Sequence, residues 1–271
     1  MILSNTANEK IHRLWGYERP DGRFGIRNHL LIIPASVCAS AVAARVAAQV
    51  PGAVALPNQH GCSQIGVDYD LTRRTLAGLG RNPNVGAVLV IGLGCEGIEP
   101  AALAQDIAAS GQTVECLVIQ QLGGTLKTTA AGAEAAARLQ QKLSQQRRRE
   151  MPFSALTLGL ECGGSDPTSG LAANPAIGYA STALVEAGGS SILSETTEVI
   201  GAEHLLVKRF PDPAEARKFM EMVRRVEQRA VALGVDLRQG QPTPGNKAGG
   251  LSTIEEKSLG CMYKAGTSDF V

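Results

Sequence analysis

Aromatic side chains are scarce in this sequence. One Trp, four Tyr and five Phe make up 4% of its 271 residues. Bulk must therefore come from aliphatic side chains, and 31 Gly allow close backbone packing and many short turns. An excess of charge is also missing, since 26 Lys and Arg against 25 Asp and Glu leave a net +1. That balance argues against nucleic acid and against a membrane surface as partners. No apolar run reaches the ~18 residues of a spanning helix, and no basic–apolar–small leader opens the chain, so a cytoplasmic location is expected. Six Cys occur without a CxxC pair, which speaks against a zinc ribbon or a thioredoxin-like motif. Reduced thiols are expected.

What is present is aliphatic. Apolar residues form 44% of the chain, enough for a sizeable core in one large or two ordinary domains. "HLLIIPAS", "GAVALP", "VGAVLVIG" and "TVECLVIQ" predict buried strands. "CASAVAARVAAQV", "DYDLTRRTLAGLG" and "PAALAQDIAAS" predict the helices between them. "TAAGAEAAARLQQKLSQQRRRE" predicts a long helix whose basic tail, Arg147 to Arg149, suits a helix C-terminus. The pattern then restarts with strand "ALTLGLE", helix "ANPAIGYASTALVEAGG", strand "SSILSE" and a long helix from Pro213. A Pro/Gly-rich loop, "QGQPTPGNKAGG", follows. The alternation predicts an α/β fold of two consecutive Rossmann-like three-layer units with mostly parallel sheets. The expected divisions are a lead-in at 1–14, a first α/β domain at 15–150 and a second at 151–271.

Three loops share one design. "QHGCSQIG" carries His60 and Cys62, "GLGCEG" carries Cys95 and Glu96, and "ECGGSD" carries Cys162, Gly163, Gly164, Ser165 and Asp166. Ligands of open parallel sheets sit beyond the carboxyl ends of strands, and glycine lets a backbone approach them. Thiolates are soft ligands for iron, iron–sulfur clusters or zinc. A cluster normally takes four, so three would leave one iron open to substrate. The plainer alternative is three buried thiols. Cys38, Cys116 and Cys261 carry no comparable signal.

Other stretches admit two readings. "GLGCEG" matches a dinucleotide fingerprint at Gly92, Gly94 and Gly97, but in place of the acid expected at the end of the next strand there is Glu115 near its start, and the strand ends in Gln. "SETTEVIGAEHLL" places Glu195 and Glu198 after a strand, either as ligands and acid–base groups or as the first turn of a helix capped by Ser194 or Thr196. Asn246 and Lys247 lie in "PGNKAGG", where a lysine could hold a carboxylate or act as a base. "LGGTLKTTAAG" offers an anion site or only a cap before a helix.

Together "GYERPDGRFGIRN", "HGC", "GLGCE", "IQQLGGTLKT", "CGGSDPTSGLAANPAIG", "ILSETTEVIGAEHLL" and "PGNKAGGLSTIEEKSLG" resemble the large catalytic region of the altronate dehydratase/galactarate dehydratase family, over nearly all of residues 16–267. The resemblance implies a hydro-lyase that converts a sugar acid to a 2-keto-3-deoxy acid. It further implies Fe2+, an iron–sulfur cluster or Mn2+ as cofactor, and a small SAF-type domain or subunit as partner. A homo-oligomer is expected. The family pattern continues past residue 271, so the second domain is expected to be incomplete and the chain alone can be inactive. A sulfo-lyase-like enzyme, a non-catalytic sugar-acid-binding subunit and an NAD-binding oxidoreductase are the alternatives.

From the chemistry of these positions, Cys62, Cys95 and Cys162 are the expected metal ligands. Lys247 or His60 is the expected base and Glu198 the acid. Gly163, Gly164, Ser165, Asp166, Asn246 and Glu195 are expected around the substrate.

Overall fold

The computed structural model describes residues 13–271, and most of the expected lead-in lies outside the described residues. Two compact units form, Met1–Pro152 and Phe153–Val271. Unit 1 opens with the strands β1 (Leu14–Glu18) and β2 (Phe24–Gly25). Alternation follows: β3 (His29–Pro34), α1 (Ser40–Gln49), β4 (Ala53–Ala55), α2 (Gly66–Gly80), β5 (Val85–Gly92), α3 (Pro100–Ala108), β6 (Thr113–Val118) and α4 (Thr125–Ser144). The unit closes with β7 (Arg149–Met151), antiparallel to β1.

The four middle strands form a parallel sheet in the order β4-β3-β5-β6. Side chains alternate across a strand, and here both faces are apolar. Leu30, Ile32, Leu89 and Ile91 pack under α1 and α4, with Val46, Ala136 and Leu139. Leu31, Ile33, Val88 and Val90 pack under α2 and α3, with Leu76, Leu103 and Ile107. All eight residues of β5 are buried. Each aliphatic side chain fully buried this way contributes about 1.5–3 kcal/mol. Adjacent strands β3 and β5 are thus followed by helices on opposite faces, which makes their carboxyl ends the switch point of the sheet.

The basic tail differs from the sequence expectation. The helix stops at Ser144, and Arg149 lies in β7 with its guanidinium paired to Glu18. Arg148 donates to the carbonyls of Trp15 and Ile26, both at 3.0 Å, and lies over the Tyr17 ring. These arginines serve the β1–β7 edge, a contact between residues more than a hundred positions apart that no local pattern announces. Leu14, assigned to the lead-in, is the first residue of β1.

Unit 2 has β8 (Thr157–Leu160), α5 (Asn174–Glu186) and β9 (Ser190–Leu193), then the short α6 (Glu203–Leu206) and the long α7 (Pro213–Ala232). The run α8 (Leu237–Gly240), α9 (Pro244–Ala248) and α10 (Ile254–Met262) follows. It is α/β, but its parallel sheet has two strands among the described residues. Its core is helical, with Val199, Ile200, Leu206, Val223 and Ile254, and Phe210 stacks on Phe219 and Phe270. The expected loop at "QGQPTPGNKAGG" contains α9, because Thr243 and Asn246 make a capping box and Pro244 suits the first turn. No helix among the described residues is long and apolar enough to cross a membrane.

Candidate metal centre

β8 and β9 run parallel with Leu160 opposite Leu193. The residues that follow each strand therefore emerge side by side at the carboxyl edge. Ser194 ties them together, donating its backbone N–H (3.1 Å) and its hydroxyl (2.6 Å) to the Leu160 carbonyl. Its hydroxyl also reaches Glu161 at 2.9 Å. Ser194 is thus no helix cap, and neither is Thr196, which starts a 3-10 turn with no side-chain cap bond. Glu195 takes a left-handed conformation, φ 62°, uncommon for a side-chain-bearing residue and typical of constrained functional positions. From there its carboxylate accepts the Cys162 backbone N–H at 2.9 Å.

Cys162, Glu195 and Glu198 come together, with one ligand atom from each within 4.8 Å of the others. No other group of three such side chains does so among the described residues. They line a cavity of about 340 Å³ with Thr197, Gln241, Lys257 and Ser258. Lys257 donates to Gln241 there at 2.8 Å.

Beneath the cavity the chemistry is buried. Glu198 and Lys264 are 7% and 3% exposed and form an ion pair. Cys261 also donates to Glu198, at 3.6 Å. Burial opposes the Glu198 charge, but the Lys264 ammonium and the Cys162 and Cys261 thiols outweigh it and hold the carboxyl below its usual range. Burial and the Glu198 charge push the Cys261 thiol up to about 12. Burial, then Glu198, also raises Cys162, and burial with the Glu198 and Glu161 charges raises Glu195. The donor set suits one divalent cation. A thiolate and two carboxylates give three negative charges, Lys264 gives one positive, and the remaining −2 matches M2+. A cation there would reverse the upward shifts of Cys162 and Glu195.

The other predicted positions lie as follows. Ser165 and Asp166 border a second cavity of about 480 Å³ in unit 2. Asp166 closes a turn, accepting from Thr168 at 2.6 Å and the Ser169 N–H at 2.9 Å. Gly163 and Gly164 are exposed, with open space around both. Asn246 donates to the Ser165 carbonyl at 2.9 Å and caps α9, so it ties α9 to the Cys162 loop. Lys247 is exposed on α9. His60, Cys62 and Cys95 belong to unit 1. His60 borders a cavity of about 640 Å³ there, with Gln64 and Asp68.

The fingerprint at Gly92, Gly94 and Gly97 is closed by its own chain. The Glu96 carboxylate accepts the Leu93 and Gly94 backbone N–H groups at 2.7 and 2.5 Å. It occupies the amides a pyrophosphate would need. Lys257, Cys261 and Lys264 were not nominated from sequence. A signal existed for two of them: Ser258, Cys261 and Lys264 recur every three residues, one face of a helical run.

Two family models cover the chain. Residues 16–144 match "D-galactarate dehydratase/Altronate hydrolase, second domain" and residues 153–271 match "D-galactarate/Altronate dehydratase, C-terminal". Altronate dehydratase of Escherichia coli K12 is 38% identical over 263 residues, 93% of this chain and 52% of that protein. Altronate dehydratase of Bacillus subtilis is 35% identical over 264 residues, with the same coverage of 93% and 52%. The (2R)-sulfolactate sulfo-lyase subunit beta of Chromohalobacter salexigens is 40% identical over 258 residues, 93% of this chain and 64% of that protein. The chain thus spans about half the length of the altronate dehydratases it matches.

Proposed function

The chain belongs to the galactarate/altronate dehydratase family, and from that premise we propose that it serves a sugar-acid dehydratase, forming a 2-keto-3-deoxy acid by loss of water. The observation that carries this reading is the Cys162–Glu195–Glu198 group at the wall of a cavity that Ile200, Leu237 and Ile254 also line. These three side chains would hold a divalent metal, Fe2+ or Mn2+. When bound, it supplies Lewis acidity for a carboxylate whose α-hydrogen is otherwise barely acidic.

The chain's own groups divide the remaining work. A lysine takes the α-proton. Lys257 lines the cavity, and Lys247 and His60 are the bases nominated by sequence. Departure of the β-hydroxyl needs a proton. Glu198 was the sequence candidate, but Lys264 keeps it ionised, which suits cation binding. With Glu195 and Glu198 both committed to the cation, the ammonium formed when Lys257 takes the α-proton is the donor that remains. Proton and hydroxide leave as water, and the enol product tautomerises to the keto acid. Ser165, Asn246 and the Gly163–Gly164 amides border the loop that would meet substrate oxygens. A SAF-type domain or subunit and self-association are proposed to complete the assembly.

The sulfo-lyase relative supports a second reading, elimination of sulfite from a sulfonated hydroxy acid. One experiment separates them: incubate the metal-loaded protein, with its SAF-type partner, with altronate, galactarate or (2R)-sulfolactate. Then assay keto acid and sulfite. Keto acid from a sugar acid supports the dehydratase, and sulfite release favours the second reading. Cys162→Ala is expected to lose metal bound in unit 2 while keeping its circular dichroism spectrum. Full metal retention would remove Cys162 from the proposal.

A further inference from the structure

Unit 1 carries three exposed thiols that the site above does not use. Cys38, Cys62 and Cys95 are all exposed, although cysteine is among the most buried residue types. They sit on the three loops that leave β3, β4 and β5, at the carboxyl ends of the strands and around the switch point of the sheet, where open α/β sheets bind ligands.

The loops are joined to one another. The Val37 N–H donates to the His60 carbonyl, the Asn58 amide to the Pro34 carbonyl and the Ser40 hydroxyl to the Asn58 carbonyl, each at 2.9 Å. A Cβ on Gly61 would lie 2.1 Å from the Ala35 carbonyl oxygen, so the backbones beside Cys62 and Cys38 touch. A Cβ on Gly97 would meet the Gly61 carbonyl oxygen at 3.9 Å, which brings the Cys95 loop to the same place. Gly61, Ser63 and Gly94 have φ of 93°, 57° and 119°, a concentration of left-handed backbone beside the thiols. The Ser36 hydroxyl, two residues before Cys38, is fully buried without a hydrogen-bond partner. It can donate to a thiolate or sulfide.

We propose that Cys38, Cys62 and Cys95 are the protein ligands of an iron–sulfur cluster with one iron left free of protein thiolate. The three thiols do not meet the single-ion spacing that Cys162, Glu195 and Glu198 meet. Thiolates on different corners of a cluster stand farther apart than the ligands of one ion. Cys38 thus takes the third place that the sequence reading gave to Cys162. The proposal is independent of the reaction, because its readout is the cluster itself.

The test is anaerobic reconstitution of the full chain with ferrous and ferric iron, sulfide and dithiothreitol, then desalting. Iron, acid-labile sulfide and the visible spectrum are measured. The expected result is about four sulfides and four cluster irons per chain, with about one further iron in unit 2 that Cys162→Ser removes, and a broad charge-transfer band. Cys38→Ser, Cys62→Ser and Cys95→Ser are each expected to lose the band, and Cys162→Ser to keep it. Iron or zinc bound without sulfide, a full band in Cys38→Ser, or loss of the band in Cys162→Ser would overturn the proposal. Alkylation of the wild-type chain keeps the test open if a variant fails to fold. Iodoacetamide should label Cys38, Cys62 and Cys95 before reconstitution and spare all three afterwards. Undiminished labelling of any one afterwards removes it from the ligand set.

Discussion

The buried Glu198–Lys264 pair is the most exposed to mutation of the single-residue features. Removing one partner leaves a charge without compensation in a dry place. Lys264→Met is expected to cost about 3–5 kcal/mol in urea denaturation, and the double variant with Glu198→Leu to recover most of it. Glu203 makes the pH prediction. Burial opposes its charge, but Arg238 and the Gly201 N–H overcome this and hold it below its usual range. Its contribution is present above the unfolded value of about 4.3 and is lost as pH falls through the lower folded value. Denaturation curves between about pH 5 and 3 should therefore show wild type losing more stability than Glu203→Gln. Much of this was legible from sequence. Cys162, Glu195 and Glu198 could be nominated because they follow apolar strand runs. For Lys264 the three-residue spacing marks a helical face but not the ion pair, since its partner is 66 positions away and burial of an ammonium depends on packing that no local pattern encodes.

At the scale of elements, legibility follows burial. β5 spans the predicted "VGAVLVIG" because all its residues are buried and no competing periodicity intrudes. Leu89→Ala there is expected to destabilise unit 1 by about 2–5 kcal/mol by equilibrium unfolding, through lost transfer energy and a residual cavity. β8 and β9 are half-exposed, yet their short runs, alternating with a helix, marked them. α9 was missed because Pro and Gly counted as breakers, while the capping box that rescues it needs Thr243 and Asn246 to be seen as a pair. Charge misled in the same way. Three arginines after a helix complement its dipole in principle, but the backbone carbonyls of Trp15 and Ile26 compete for Arg148 and win.

The chain divides into a unit built on a four-stranded parallel sheet, with the antiparallel β2-β1-β7 strands beside it, and a largely helical unit, each with its own core. The boundary matters for any excised piece. A fragment of residues 13–144 loses β7 and with it buried Met151, opposite Leu14. A fragment of residues 13–152 keeps both. The longer fragment is expected to be more stable by at least the burial of one such side chain, about 1.5–3 kcal/mol, in paired urea titrations. The β1–β7 pair has a mechanical side as well. Leu14 is the first residue of β1 and Met151 the last of β7, and they face each other. Tension applied to the two ends of unit 1 therefore pulls at the same end of an antiparallel ladder. The ladder opens like a zipper, one hydrogen bond at a time, and the parallel sheet behind it bears no load until the last of these bonds has parted.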